Sequence, residues 1–349
     1  MSQRGEQAPA GSGRPVVRMR DVAAAAGVSV KTVSNVVNGT GQVRDATGRR
    51  VRAAVEELGY RPNPLARGLN ALATDTITLA VPGLGYGYCA PLVAEVFDLA
   101  EARGISVVVE PTGGEREREL GVLRDRSGLC DGVLLMPAAV TAADLAALPS
   151  GTPAVLLGAH LESSPLDTVA FQDRAAAEAA VRFLLECGAR RVVLLGEFGQ
   201  SAAGAAAQRS AGHRRALEAA GHRQDPALVL RTPASSREAG HEAVRRLLAE
   251  GTGFDAVLAL EDPLAHGALR ALRSAGRDVP GQVQVVAFGN DEDAEYAVPS
   301  LTAVRADLRT MARHALDLLA ARVRDGAGGR RQVDIPFTII QRESTISHG

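Results

Sequence analysis

Small apolar side chains recur at helical intervals in three short stretches near the start of the chain. In GVSVKTVSNVVNG, Gly27 to Gly39, Val30, Val33, Val36 and Val37 fall at i, i+3, i+6 and i+7, which draws one stripe along a helix. The other face carries Lys31, Thr32, Ser34, Asn35 and Asn38, all hydrogen-bonding groups, and Ser29 is placed to cap the first turn. Before it, RDVAAAAG (Arg20 to Gly27) reads as an alanine-rich helix closed by glycine. After it, Val51, Ala54, Val55 and Leu58 share a face of a third helix over about Asp45 to Leu58, with Gly59 as its stop. Only one or two residues separate the first two helices, too few for antiparallel packing, so the join predicts the angled pair of a helix-turn-helix.

The rhythm changes after residue 60. Pro62 and Pro64 bar a continuous helix through YRPNPLARGLNALATD, which reads as a linker with a nascent helix from Pro64 to about Asn70. So short a helix is largely unfolded in water by itself. From Thr76 onward, apolar runs of strand length alternate with helical segments. TITLAVPG, ISVVVEP, DGVLLMP and PAVLLGAH come first, then RVVLLGEF, ALVLRTP, FDAVLAL and VQVVAFG. Such alternation builds parallel sheets covered by helices on both faces, and eight or more units exceed one comfortable sheet, so two lobes are expected.

Composition narrows the class. At 349 residues with 46% hydrophobic and 23% charged, the chain can hold two or three globular domains, and no apolar run reaches membrane-span length. Residues 1–16 are polar and rich in Gly and Pro without the apolar stretch of a signal peptide, which predicts a disordered lead on a cytoplasmic protein. The net charge of −1 hides a division: residues 1–70 hold eleven basic against five acidic side chains, and the remainder 28 against 35. A basic head on an acidic body suits a polyanionic partner for the head alone.

Candidate chemistry lies in the loops that follow the strands, where parallel sheets bind ligands. These loops carry Tyr86, Tyr88, Gln200, Arg209, Glu261, Asp262, Asn290 and Asp291, a mixture suited to a small polar ligand with hydroxyl groups. Catalytic motifs are weak. Gly83, Gly85 and Gly87 follow a strand, but the dinucleotide fingerprint fails at Tyr88, and neither a GxSxG elbow nor a P-loop occurs. Cys89 reads as a buried, inert thiol before it reads as a nucleophile. Three widely spaced cysteines and seven unpaired histidines support neither a disulfide frame nor a metal site, so no cofactor and no enzymatic activity are expected.

RDVAAAAGVSVKTVSNVVNG with VEELGYRPNPLARGL resembles the DNA-binding head of the lactose-repressor (LacI/GalR) family of bacterial transcription regulators. The blocks GHRRALEAAG, FDAVLALEDPLAHGALRAL, VQVVAFGNDE, LTAVRADL and QREST resemble its ligand-binding core, so that the likeness spans about 16–346. The resemblance implies an α/β protein, with an all-α helix-turn-helix head at 17–61, a hinge helix and linker at 62–74, and a two-lobed, periplasmic-binding-protein-like core with parallel sheets at 75–349. One lobe is expected at about 75–170 and 301–324, the other at about 171–300 and 325–349. It further implies a homodimer on double-stranded palindromic operator DNA, acting as a repressor under a small-molecule effector whose default in the family is a carbohydrate.

By the family's pattern Val30, Lys31 and Asn35 face base edges, while Ser29, Thr32, Ser34 and Asn38 approach phosphates. The chemistry is compatible: lysine donates to guanine, asparagine pairs with adenine, and valine meets a thymine methyl. Leu69 matches the hinge leucine that wedges into the minor groove, with Arg67 and Asn63 on nearby phosphates. Effector contacts are expected from Tyr86, Tyr88, Arg209, Glu261, Asp262 and Asp291. Departures from the pattern are Asn35 where arginine is usual, Arg18 and Arg44 where capping Ser or Thr is usual, Glu261 for a frequent asparagine, and Gln172–Asp173 for Asp–Asn. Two rival classes remain: a small-molecule-binding protein whose head docks a protein partner, and an α/β enzyme.

Overall fold

The computed structural model describes residues 17–38, 41–60, 74–85, 88–125, 130–149, 152–158, 161, 163–197, 204–326 and 328–346. It divides into a small unit ending at Thr74 and a large one, Asp75–Gly349.

The small unit is three helices: α1 (Met19–Ala26), α2 (Val30–Asn38) and α3 (Asp45–Leu58). Their shared core is Val22, Ala23 and Ala26 from α1, Val33 from α2, and Val51 and Ala54 from α3, with Val36, Val37, Val55 and Leu58 packed around it. Val33 is fully buried, which contributes roughly 1.5–3 kcal/mol. Val30 departs from the expected stripe: it is 47% exposed, because at the first position of α2 it lies beyond the reach of α1 and α3. Gly27, at φ +61°, ends α1 in the left-handed conformation, and Val28 N–H donates to the Ala23 carbonyl at 3.0 Å. The chain then turns at once into α2, whose first turn is capped by Ser29 Oγ accepting from Thr32 N–H at 3.1 Å. At α1 the missing serine or threonine cap is offset from the other side: Asp21 accepts the Arg18 backbone N–H at 2.7 Å. Arg44, at the start of α3, makes no side-chain cap bond.

The large unit contains two six-stranded sheets. In chain order its elements are β1 (Thr76–Val81), α4 (Cys89–Glu101), β2 (Ser106–Pro111), α5 (Arg116–Asp125), β3 (Gly132–Leu135), α6 (Ala142–Ala146), β4 (Ala154–Leu157) and β5 (Asp167–Phe171). Then come α7 (Asp173–Glu186), β6 (Val192–Glu197), α8 (Ala205–Ala219), β7 (Val229–Arg231), α9 (Arg237–Ala249), β8 (Ala256–Ala259), α10 (Asp262–Ser274) and β9 (Gln284–Phe288). The last are α11 (Glu292–Tyr296), β10 (Thr302–Ala306), α12 (Leu308–Asp325), β11 (Gln332–Ile335) and β12 (Phe337–Ile340). The first sheet has the order β11-β5-β4-β3-β1-β2 and the second β12-β10-β9-β8-β6-β7. All described pairings are parallel except β12 against β10. The inner strands are buried along their whole length, as β3 (GVLL), β4 (AVLL) and β8 (AVLA) require once helices cover both faces.

The chain crosses between the lobes three times, at Gln172, Asp307 and Pro336, each between an element of one sheet and the next element in the other lobe. This corrects the expected boundaries. Residues 302–306 belong to the second lobe, because β10 pairs in parallel with β9, and residues 332–335 return to the first, because β11 pairs with β5. The second placement rests on a partner distant in sequence, which a local pattern does not reveal; in the first, β10 pairs with the strand just before it, but its run, TAVRA, does not read as a strand. Gln172 N–H donates to the Ile335 carbonyl at 3.3 Å, tying the first crossing to the third.

Candidate functional site

The carboxyl ends of both sheets face a cleft of about 890 Å³, within the usual range for a small-molecule site. The first lobe supplies Tyr88, Met136, Gly158 and Phe171 to its lining, and the second Arg209, Glu261, Asp262, Phe288, Asn290 and Asp291. Of the expected effector residues, Tyr88, Arg209, Glu261, Asp262 and Asp291 therefore converge on one cavity. Tyr86 and Gln200 lie outside the described residues.

Arg209 stands on α8 with its side chain almost fully buried. Its Nε donates to Asp173 Oδ1 at 2.7 Å, Nη1 donates to the Leu260 carbonyl, and Cζ lies 4.3 Å from the centroid of the Phe288 ring. Burial alone would weaken its charge, but the Asp173 and Glu261 carboxylates outweigh that and hold the guanidinium protonated. Phe288 meets Phe171 edge to face across the lobes at 6.3 Å between centroids, and Phe171 meets Phe337 in the same manner at 6.4 Å. The cavity thus has an apolar aromatic wall beside a polar one.

The polar wall is built by two adjoining turns, one after β8 and one after β9. Glu261 precedes α10 and Asp262 opens it, so both carboxylates lie at the amino end of that helix. Asp262 Oδ2 accepts the Asp291 backbone N–H at 2.9 Å, whereas Asp262 Oδ1 and Glu261 Oε2 are buried without a hydrogen-bond partner. Burial, with the Asp291 charge beside it, pushes the Asp262 carboxyl up to about 7. The approach of Asp291 to Asp262 depends on Gly289, at φ +137°, where a Cβ would overlap the Asp262 carboxylate. Burial raises the Asp291 carboxyl too, but His266 Nε2 at 3.2 Å and the Ala294 N–H at 2.8 Å prevail and hold it below the usual range.

Opposite, burial and the Asp173 charge push the Tyr88 phenol far up, so it keeps its proton as a donor. Cys89 follows the inert reading: burial raises its thiol to about 12, and Sγ lies 3.8 Å from Met136 Sδ. Among the described residues, ligand atoms of His266, Asp291 and Asp293 come within 4.8 Å of one another, a grouping the sequence spacing hides; Asp293 is paired there with Arg237. Phe288 and Met136 escape a sequence reading because each ends or follows an apolar run that reads as plain core, and Phe171 because its run, DTVAF, does not read as a strand.

In the small unit, Val30 and Lys31 are exposed at the start of α2, while Thr32, Ser34 and Asn35 are half-buried farther along. The Asn35 amide lies beside Gly41, where a Cβ would sit 2.9 Å from its Nδ2. Asn38 closes α2, and its side chain lies outside the description, as do Asn63, Arg67 and Leu69.

A helix-turn-helix joined to a two-lobed core with an interlobe cleft is the architecture of a DNA-binding regulator that carries its own small-molecule receptor. The model for bacterial regulatory proteins of the lacI family matches residues 18–63, and that for a periplasmic binding protein-like domain matches 181–345. The chain is 31% identical to the HTH-type transcriptional regulator AscG of Escherichia coli (strain K12), covering 94% of this chain and 98% of that one. The structure of the CelR–cellobiose complex shares 31% identity over 95% of this chain and 100% of that one, with a TM-score of 0.66. The Lac repressor dimer bound to operator and the anti-inducer ONPF shares 26% over 95% and 99%, with a TM-score of 0.82. The chain belongs to the LacI family and is a helix-turn-helix transcriptional regulator. Among the described residues no helix is long and apolar enough to cross a membrane.

Proposed function

We propose that this protein is a cytoplasmic, homodimeric repressor that binds a palindromic operator and is controlled by a small carbohydrate held between the lobes of the core. The observation that carries the effector half is the cleft itself: an aromatic wall of Phe171 and Phe288 faces carboxylates and an arginine, the pairing that suits the apolar and hydroxyl faces of a sugar ring. The cellobiose complex of CelR supports the same reading. The reading as a regulator and not an enzyme is supported by its relatives, which are transcriptional regulators.

At the DNA, Val30, Lys31 and Asn35 read base edges, and Ser29, Thr32, Ser34 and Asn38 position the helix on phosphates. Val30, exposed at the first position of α2, is accessible to a partner outside the head. Leu69 enters the minor groove between two subunits, with Arg67 and Asn63 on the flanking backbone. Two-fold related heads require inverted half-sites.

The test is selection of duplexes from a random pool by the full-length protein, with and without candidate sugars. A symmetric enriched site whose occupancy changes with one sugar supports the proposal. Enrichment of no symmetric site rejects it.

A further inference from the structure

Two carboxylate oxygens of residues that line the cleft have no donor. Glu261 Oε2 and Asp262 Oδ1 are both buried without a partner, and Asp262 as a whole is only 6% exposed. Leaving a buried carboxylate oxygen unmatched costs free energy, and the cost is recovered when a ligand brings a donor to it. Both atoms belong to residues that line the same cavity, at the amino end of α10.

The charges around them argue in the same direction. The described acidic and basic lining comprises Glu95, Glu261, Asp262, Asp291 and Asp307 against Arg209, Arg305 and Arg309, with the protonated Tyr88 phenol and Cys89 thiol beside them. Arg209, the buried cation, has Nε on Asp173, Nη1 on the Leu260 carbonyl and its face on Phe288. Arg309 is paired with Glu95 at 3.0 Å, and Arg305 is an exposed side chain beside Asp307. His266 Nε2 is engaged by Asp291, and the imidazole also bears on the Asp262 carboxyl, where it opposes the effects of burial and of the Asp291 charge. An anionic group entering beside Glu261 therefore meets like charge, while Arg209 commits Nε and Nη1 to Asp173 and the Leu260 carbonyl.

We infer that the effector is a sugar that presents hydrogen-bond donors, as hydroxyl groups or an ammonium group, to Glu261 and Asp262, and that Glu261 makes the site reject acidic sugars. This rests on the carbohydrate reading above and adds to it the charge class of the ligand. Glutamate at this position accepts two donors and offers none, so the selectivity belongs to this side chain and not to the cleft's shape.

The experiment is calorimetric titration of the full-length protein with cellobiose and a set of hexoses, each hexose also as its 2-amino, uronic-acid and 6-phosphate form. The neutral or amino form of at least one ring binds, and the acidic forms of that ring bind at least tenfold more weakly. In Glu261→Gln, with an unchanged melting profile, the penalty on the acidic forms shrinks several-fold and any preference for the amino form disappears. An acidic form binding as tightly as its neutral parent overturns the inference while the carbohydrate reading stands. An unchanged penalty in Glu261→Gln removes the role of that residue. Binding by no sugar of any charge class rejects the carbohydrate reading and the inference with it.

Discussion

Asp173 and Arg209 form an ion pair closed off from water: Nε to Oδ1 is 2.7 Å, and the two side chains are 0% and 5% exposed. Asp173 opens α7 directly after the first interlobe crossing, and Arg209 reaches it from the neighbouring helix α8. The pair holds the arginine against Phe288 at the back of the cleft. Such a pair contributes little net stability over an apolar replacement, but removing one partner strands a buried charge. Asp173→Ala is expected to cost about 3–5 kcal/mol in urea unfolding. Asp173→Leu combined with Arg209→Met should recover much of that stability while effector binding stays lost, which separates the pair's structural role from its binding role.

Asp262 sets a dependence on pH. Its carboxyl titrates near 7 in the folded protein, above the ordinary aspartate value, so the native state binds this proton more tightly than the unfolded chain. Its contribution to stability is fully present below about pH 4 and is lost as the pH rises through 7. The difference in unfolding free energy between wild type and Asp262→Asn should shift in favour of the variant as the pH rises from about 4 to 7 and level off above that. A pH-independent difference would place the carboxyl in the ordinary range.

Effector binding should show the opposite trend. If ligand donors require the ionised Asp262 carboxylate, a group titrating near 7 makes affinity about tenfold weaker at pH 6 than at pH 8. Calorimetry in buffers of different ionisation enthalpy would register the proton released on binding. Asp262→Asn should flatten the profile.

Gly289→Ala tests the backbone that joins Asp262 to Asp291. At φ +137° an alanine is strained, and its Cβ would overlap the Asp262 carboxylate. A loss of about 1–3 kcal/mol in stability is expected, together with weakened effector binding. Gly221→Ala, also at positive φ but with open space around its Cβ position, should lose stability without losing the ligand.

At the DNA, Lys31→Ala or Asn35→Ala should relax base preference at one position per half-site, by about 1–3 kcal/mol. Arg52→Ala, an exposed arginine on α3, should leave base preference unchanged. Binding-site selection with each variant reads this directly. Unchanged specificity in both Lys31→Ala and Asn35→Ala would remove these residues from base reading.

What the sequence determined by itself was local. The helices of the head, the left-handed glycines that end α1 and α3, and the strands β1–β4 and β6–β9 were all legible, because each depends on spacing within one turn or one apolar run. The strand-end rule also pointed to Tyr88, Arg209, Glu261, Asp262 and Asp291 as one group. Tertiary structure decided the rest. β5, β10, β11 and β12 (DTVAF, TAVRA, QVDI and FTII) do not read as apolar runs of strand length; β5 and β10 lie beside the strands that precede them, while β11 joins β5 and β12 joins β10 across longer stretches of chain. Val30 continues the apolar stripe by its period and is half exposed at the start of α2; how far it is covered depends on where the neighbouring helices end. The electrostatics of the cleft arise from folding as well: Arg209 is engaged, Asp262 titrates high and two carboxylate oxygens lack donors, because desolvation and charge pairing act through space between residues that the chain keeps tens of positions apart.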